Sequence, residues 1–270
     1  MPTQAEFFKL GGSSDQVEFN LDYLSYAARS LDVSGSESSL TGLWVNPAQT
    51  RAYFSGSGGD AVYQIDMATA GQIDSGTISR SLSVNAQASN PGALCFSDDE
   101  SIMYVAGGGN IYQFNIGTPG QIDTGSYASK SLADAADGID ISPDGSKLIL
   151  ADSVSDTISF HTLSTPFDLD TASLDGATGA LFGASTNLNG LSFSPDGLRA
   201  FVTDGTNRIV YVKEFSSPFD YSTAKASWKG IYIGDITGSI TDVEVSDDGL
   251  TMYITSTSTP DTIYQFQFSE

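Results

Sequence analysis

Basic side chains are scarce in this sequence. Eleven Lys and Arg stand against 33 Asp and Glu, a formal charge of −22. A surface of that sign repels nucleic-acid phosphates and anionic lipid headgroups, so neither is an expected partner. The acidity reads first as a solubility device. There is one cysteine, Cys95, which excludes an internal disulfide and any multi-cysteine metal site. There is one histidine, His161, which leaves little imidazole for acid–base chemistry. No run of about 18 apolar residues occurs, so no membrane-spanning helix is expected. The opening MPTQAEFFKLGG has neither the basic nor the apolar part of a secretory signal. The expected location is therefore the cytoplasm, or the outside of the cell by a route such as lysis. A G-x-S-x-G nucleophile elbow and a GxxxxGK phosphate loop are both missing.

What is present is repetition. With 270 residues, 40% of them hydrophobic, the chain can bury one sizeable core. An apolar run, a tight turn and a second apolar run recur from anchors at Gly42, Ala93, Gly138, Gly190 and Asp242, at spacings of 51, 45, 52 and 52 residues. That is the period of a four-stranded propeller blade. First strands are expected at Leu43–Val45, Leu94–Phe96, Ile139–Ile141, Leu191–Phe193 and Val243–Val245, apolar at both ends with a variable middle residue. The following turn reads Pro-Asp-Gly at Pro143–Gly145 and Pro195–Gly197. At Pro47–Gln49 and Asp98–Glu100 the glycine is lost, so those turns are expected to differ in type or carry strain. Fourth strands are weaker: Ile78–Val84, Tyr127–Ala133, Ala177–Ala184 and Ser227–Ile233.

The fifth unit ends after its third strand. Ala27–Val33 has the pattern of a fourth strand, and its pairing there would close the ring and remove exposed edges. The expected fold is all-β: a closed propeller of five four-stranded blades over residues 27–270, preceded by an arm, residues 1–26. Because Thr3–Leu21 resembles Thr50–Met67, a sixth, degenerate first blade is the alternative.

The units FSPDG (193–197), STPFD (164–168) and SSPFD (216–220) resemble repeats of the YVTN/lactonase-like β-propeller superfamily. The resemblance covers most of the chain from about residue 17 onward and bears on fold more than on function. The connector flavour is similar to that of bacteriophage and marine bacterial propeller proteins, which implies a virion component.

Candidate chemistry is thin. His161 aligns with Ile65, Phe114, Lys213 and Phe266, so it reads as a packed, hydrogen-bonded side chain. Asp140 and Glu244 hold variable middle positions of first strands and should face the channel, with Asp137 and Asp242 close by. These four are the candidate tunnel-binding residues; calcium is the ion their oxygens would suit, and a hydrated polar channel is the simpler expectation. Cys95 reads as a buried filler and Trp44 as core. Trp228, on an outer strand, is the candidate surface aromatic.

The expectation is a protein that is not an enzyme: a structural or interaction propeller on a virion, decorating the particle or binding a host surface. Its partners would be other virion proteins through the N-terminal arm, a glycan, or further copies of itself. A lactonase-like hydrolase and a glycan-binding lectin are the alternatives.

Overall fold

The computed structural model describes residues 24–178 and 187–268. The chain enters as β1 (Leu24–Asp32). Blade 1 is β2 (Leu40–Val45), β3 (Arg51–Gly56), β4 (Ala61–Met67) and β5 (Gly76–Ser83); blade 2 is β6 (Leu94–Phe96), β7 (Ile102–Gly107), β8 (Asn110–Ile116) and β9 (Gly125–Leu132). Blade 3 is β10 (Gly138–Ile141), β11 (Lys147–Asp152), β12 (Thr157–Leu163) and β13 (Ala172–Ala177); blade 4 is β14 (Leu188–Phe193), β15 (Arg199–Asp204), β16 (Ile209–Phe215) and β17 (Ala224–Tyr232). Blade 5 is β18 (Asp242–Val245), β19 (Thr251–Ser256) and β20 (Thr262–Phe268), completed by β1. All five sheets are antiparallel and four-stranded. Their innermost strands touch in a ring: β2 on β6, β6 on β10, β10 on β14, β14 on β18 and β18 on β2. The fold is a five-bladed β-propeller.

The first and second strands lie where their apolar patterns place them. β1 starts at Leu24, three residues before the expected strand. The expected arm or sixth blade falls otherwise on residues 1–23, outside the described residues. The fourth strand of blade 3 is a correction: it occupies Ala172–Ala177 instead of Ala177–Ala184, most of which also lies outside the described residues. The reason is exposure. Outer strands show little burial, so they carry no apolar signature to locate them, and each follows its connector without a gap.

Blades are fastened by a repeated pair of side chains. Gln64, Gln113 and Gln265 sit at equivalent positions of third strands, and each is buried. Gln64 Oε1 accepts from Ile122 N at 3.0 Å while its Nε2 donates to Gly120 O at 2.9 Å, both in the next blade's connector. Gln265 does the same to Ile73 N and Gly71 O, and Gln113 accepts from Leu169 N. Opposite these glutamines stand Arg80, Lys130 and Arg29. They pair with Asp123, Asp168 and Asp74 of the same connectors. The salt bridges are partly exposed and each contributes little, whereas the buried amides leave peptide groups unsatisfied if removed. At the junction of blades 3 and 4 the glutamine position is Phe160, whose ring packs 6.1 Å from Tyr221. Blade 4 has Val212 there, and blade 5 has no connector to grip, because its fourth strand comes from the other end of the chain.

The turns after first strands share one conformation. Gln49, Glu100, Gly145, Gly197 and Gly249 are all left-handed, with φ of 51°, 60°, 69°, 68° and 68°. Gln49 and Glu100 therefore carry strain of roughly 1–2 kcal/mol each. The connector beside the turn shows the inverse choice. Phe167 and Phe219 are left-handed at φ 62° and 49°, where blades 1 and 2 have Gly71 and Gly120. A Cβ on Gly145 or Gly197 would lie 2.4 Å from the ring of Phe167 or Phe219. A Cβ on Gly120 would lie 2.8 Å from the Arg51 guanidinium, which reaches across to Glu100. Two side chains cannot crowd in here, so blades 1 to 4 each place glycine at either the turn or the connector. In blades 1 and 2 the turn side chain is used between blades. Glu100 receives Arg51, Tyr53 and Asn46, and Gln49 bonds Tyr253 and Asp248 of blade 5.

This reciprocity makes a coupled prediction. Gly145→Ala should destabilise the protein by about 1–3 kcal/mol, from positive φ and the clash with Phe167. Adding Phe167→Gly should recover part of that loss, so the double variant in urea unfolding should be more stable than the sum of the two single effects.

Candidate functional site

The middle residues of the five inner strands are Trp44, Cys95, Asp140, Ser192 and Glu244, one per blade. An inner strand has no neighbour on its axial side, so its peptide N–H groups need acceptors there. Acidic side chains supply them across blade boundaries. Asp140 accepts from Ile141 N and from Phe193 N of blade 4, both at 2.7 Å. Asp242 accepts from Val243 N at 2.8 Å, from Leu43 N of blade 1 at 2.7 Å, and from Leu191 N of blade 4. Glu244 accepts from Val45 N of blade 1 at a long 3.4 Å, and Ser192 Oγ from Val245 N at 3.2 Å. Glycine at 190 makes room for the Asp242 carboxylate, since a Cβ there would meet its Oδ1 at 2.2 Å.

Three of the four expected tunnel residues thus share the axis. Asp137 does not join them. It precedes β10, and its carboxylate accepts from Ser153 N at 2.9 Å in its own blade's loop. Sequence reasoning missed Asp98 and Asp247. They take the rim position that Pro47, Pro143 and Pro195 hold in the other blades, and all five line a cavity of about 40 Å³ at the mouth. The signal was available: two aspartates stand where three aligned copies have proline. The cavity walls include Trp44, Phe96, Phe193 and Phe219. That volume holds water or a single ion, whereas sites for small organic ligands run to about 300–1,000 Å³.

Among the described residues no basic side chain lines this cavity. Burial is the main force on its carboxyls, and their mutual repulsion adds to it. Asp140 is pushed up to about 7 and Asp247 to about 6. Asp242 and Glu244 are raised well above the ordinary carboxylate range. Among the described residues no three His, Cys, Asp or Glu side chains converge as metal ligands.

The remaining candidates fall into place. Cys95 is buried, and its thiol is driven up by burial and by Asp140, Glu244 and Asp242, the opposite of an activated nucleophile. Trp44 packs 5.0 Å from Phe96. His161 is buried with Nε2 3.2 Å from Asp134 Oδ2, and burial lowers its pKa. Trp228 is 44% exposed on β17.

Neither known family profiles nor curated proteins match the sequence. Solved structures match its fold. Hydrazine synthase of Kuenenia stuttgartiensis aligns at 17% identity over 81% of this chain and 55% of its own, with a TM-score of 0.50. A functionally unknown protein from Desulfotomaculum acetoxidans aligns at 16% over 80% of this chain and 62% of its own, at 0.49. A "putative 6-phosphogluconolactonase" from Bacteroides fragilis aligns at 16% over 84% and 66%, at 0.48. This chain spans 55–66% of the length of those three structures. At such identities the likeness is one of fold. The expectation that the chain is not an enzyme is nevertheless corrected: a fold by itself excludes no catalysis, and structures named "putative 6-phosphogluconolactonase" are among those the chain aligns with.

The tunnel carboxyls make a pH prediction. Their folded pKa values lie above the unfolded ones, so the native state holds more protons, and this group loses stability as pH rises from about 4.5 through the folded values. Glu244→Gln removes one charge, keeps the acceptor for Val45 N and relieves Asp140 and Asp242. The melting temperature should rise at pH 8 and change little at pH 4. An equal shift at both would contradict the assignment.

Proposed function

We propose that this chain is an interaction propeller, a rigid acidic disc that recognises a partner through its exterior. One observation carries the reading: the central cavity is about 40 Å³, and the axial carboxylates of Asp140 and Asp242 are already engaged to backbone amides of neighbouring blades. The axis is spent on holding the ring together. Recognition then falls to the loops, faces and rim that a rigid scaffold presents. The proposed setting is a bacteriophage particle, on which the propeller decorates the surface or meets the host, with residues 1–23 as the anchor to other virion proteins. The support for that setting is the resemblance of the STPFD-type connectors.

A second reading is a hydrolase of the lactonase class. It is favoured by Asp140, whose carboxyl at about 7 is poised as a general base in an open cavity beside Asp247 and Asp98.

Removing residues 1–16 should abolish incorporation of the chain into particles while leaving its melting temperature unchanged; full incorporation would overturn the anchor. Lactone turnover that rises with pH to a plateau above about 7, and disappears in Asp140→Ala, would establish the second reading instead.

A further inference from the structure

Blade 4 departs from the acidity of the protein. Between Leu188 and Tyr232 five bases (Arg199, Arg208, Lys213, Lys225, Lys229) stand against four acids, so the −22 charge is carried by the rest of the chain. Its outer strand also carries two of the exposed aromatic side chains, Trp228 at 44% and Tyr232 at 53%. Register places these on one flank of the blade. Trp228 lies opposite Lys213, Gly230 opposite Tyr211 and Tyr232 opposite Ile209, and directly opposed residues in a sheet point to the same side. The two rings are four residues apart, about 13 Å along the strand.

The flank is braced. Trp228 stands edge-on to Tyr211 at 4.8 Å, and the Arg208 guanidinium lies 5.8 Å above the Tyr232 ring. A Cβ on Gly230 would press on Ile209 Cγ2 at 3.1 Å and touch Trp228 and Tyr211 at 3.5 Å. Lys213 is the second, independent observation. It is 4% exposed, and among the described residues nothing pairs with it or accepts a hydrogen bond from it. Its stem is buried while its ammonium reaches the surface beside Trp228, where it is free to meet an anion. Burial alone holds it below the ordinary lysine value.

We propose that this flank of blade 4 binds an anionic glycan, with the Trp228 ring stacked on a sugar face and Lys213 paired with that sugar's carboxylate or sulfate. Sugar rings present C–H faces to an aromatic plane, and their acidic substituents suit a lysine point charge. The charge carried by the other blades does not prevent approach, because fields are screened over about 8 Å at physiological salt. A second copy of the chain fits the patch less well. Two aromatic side chains supply at most about 500 Å², short of the roughly 800 Å² each partner buries in a stable complex. The inference rests on the reading of the protein as an interaction propeller and names a ligand class for it.

Affinity electrophoresis of the full chain through gels containing polygalacturonate, dextran sulfate or neutral dextran tests it. The wild type should be retarded by at least one acidic polymer and not by dextran, and the responding polymer identifies carboxylate or sulfate as the acid read. Trp228→Ala and Tyr232→Ser should each weaken retardation, Trp228→Ala at least tenfold. Lys213→Gln should abolish the preference for the acidic polymer, with melting temperatures unchanged in all three. No retardation by either acidic polymer, equal retardation by dextran, or retardation that survives all three changes overturns the proposal. So does wild-type dimerisation in sedimentation velocity that Trp228→Ala abolishes, which would assign the patch to a second copy. If particle incorporation still depends on residues 1–16 while no acidic polymer is retained, the glycan assignment falls and the interaction reading stands.

Discussion

Blade 5 exists because residues at opposite ends of the described chain pair: β1 runs antiparallel to β20, from Leu24 against Phe268 to Asp32 against Thr262. Without that pairing the outer edge of β20 would lie open and the connector of blade 1 would lose Arg29 as a partner. Closure also fixes the five inner strands at one radius, and everything on the axis follows from that radius. The seam between blades 5 and 1 is fastened at several depths. Asp242 receives Leu43 N at the axis, Gln265 grips Ile73 and Gly71 further out, and Arg29 meets Asp74 at the rim. The same scheme, without the axial aspartate, holds blade 1 to 2 and blade 2 to 3.

The acidic tunnel and the left-handed turns are two consequences of packing peptide groups closely around an axis. Inner strands present amides with no strand to receive them. Carboxylates at 140, 242 and 244 answer that need, and the cost is repulsion among buried acids that raises their pKa values. At the turns, two left-handed positions from the same blade crowd each other, so glycine alternates between them. Strain at Gln49 and Glu100 is offset by bonds their side chains make to adjacent blades. Some inter-blade bonds repeat, as at Gln64, Gln113 and Gln265, and others are particular to one blade, as at Gln49 and Glu100.

The electrostatics divide the molecule. The strong negative charge lies outside blade 4, whose outer strand carries the exposed rings of Trp228 and Tyr232, with Lys213 of β16 opposite Trp228. Side chains on the axis bond the blades to one another.

Read alone, the amino-acid order pointed to five blades, with a degenerate sixth as the alternative, to the first strand of each, and to the N-terminal strand that completes the last one. Those features rest on local alternation of apolar residues and on turn chemistry, which are written within ten or so consecutive positions. The outer strand of blade 3, Ala172–Ala177, was misplaced because a solvated edge needs no alternation. The tertiary structure alone decided which residues meet across blades some fifty positions apart. It brought Asp140, Asp242 and Glu244 to one axis and sent Asp137 to a loop. It set Asp98 and Asp247 at the mouth, matched Gly145 to Phe167, and stood Lys213 opposite Trp228. Such meetings depend on ring radius and strand register, quantities that exist only once the circle has closed.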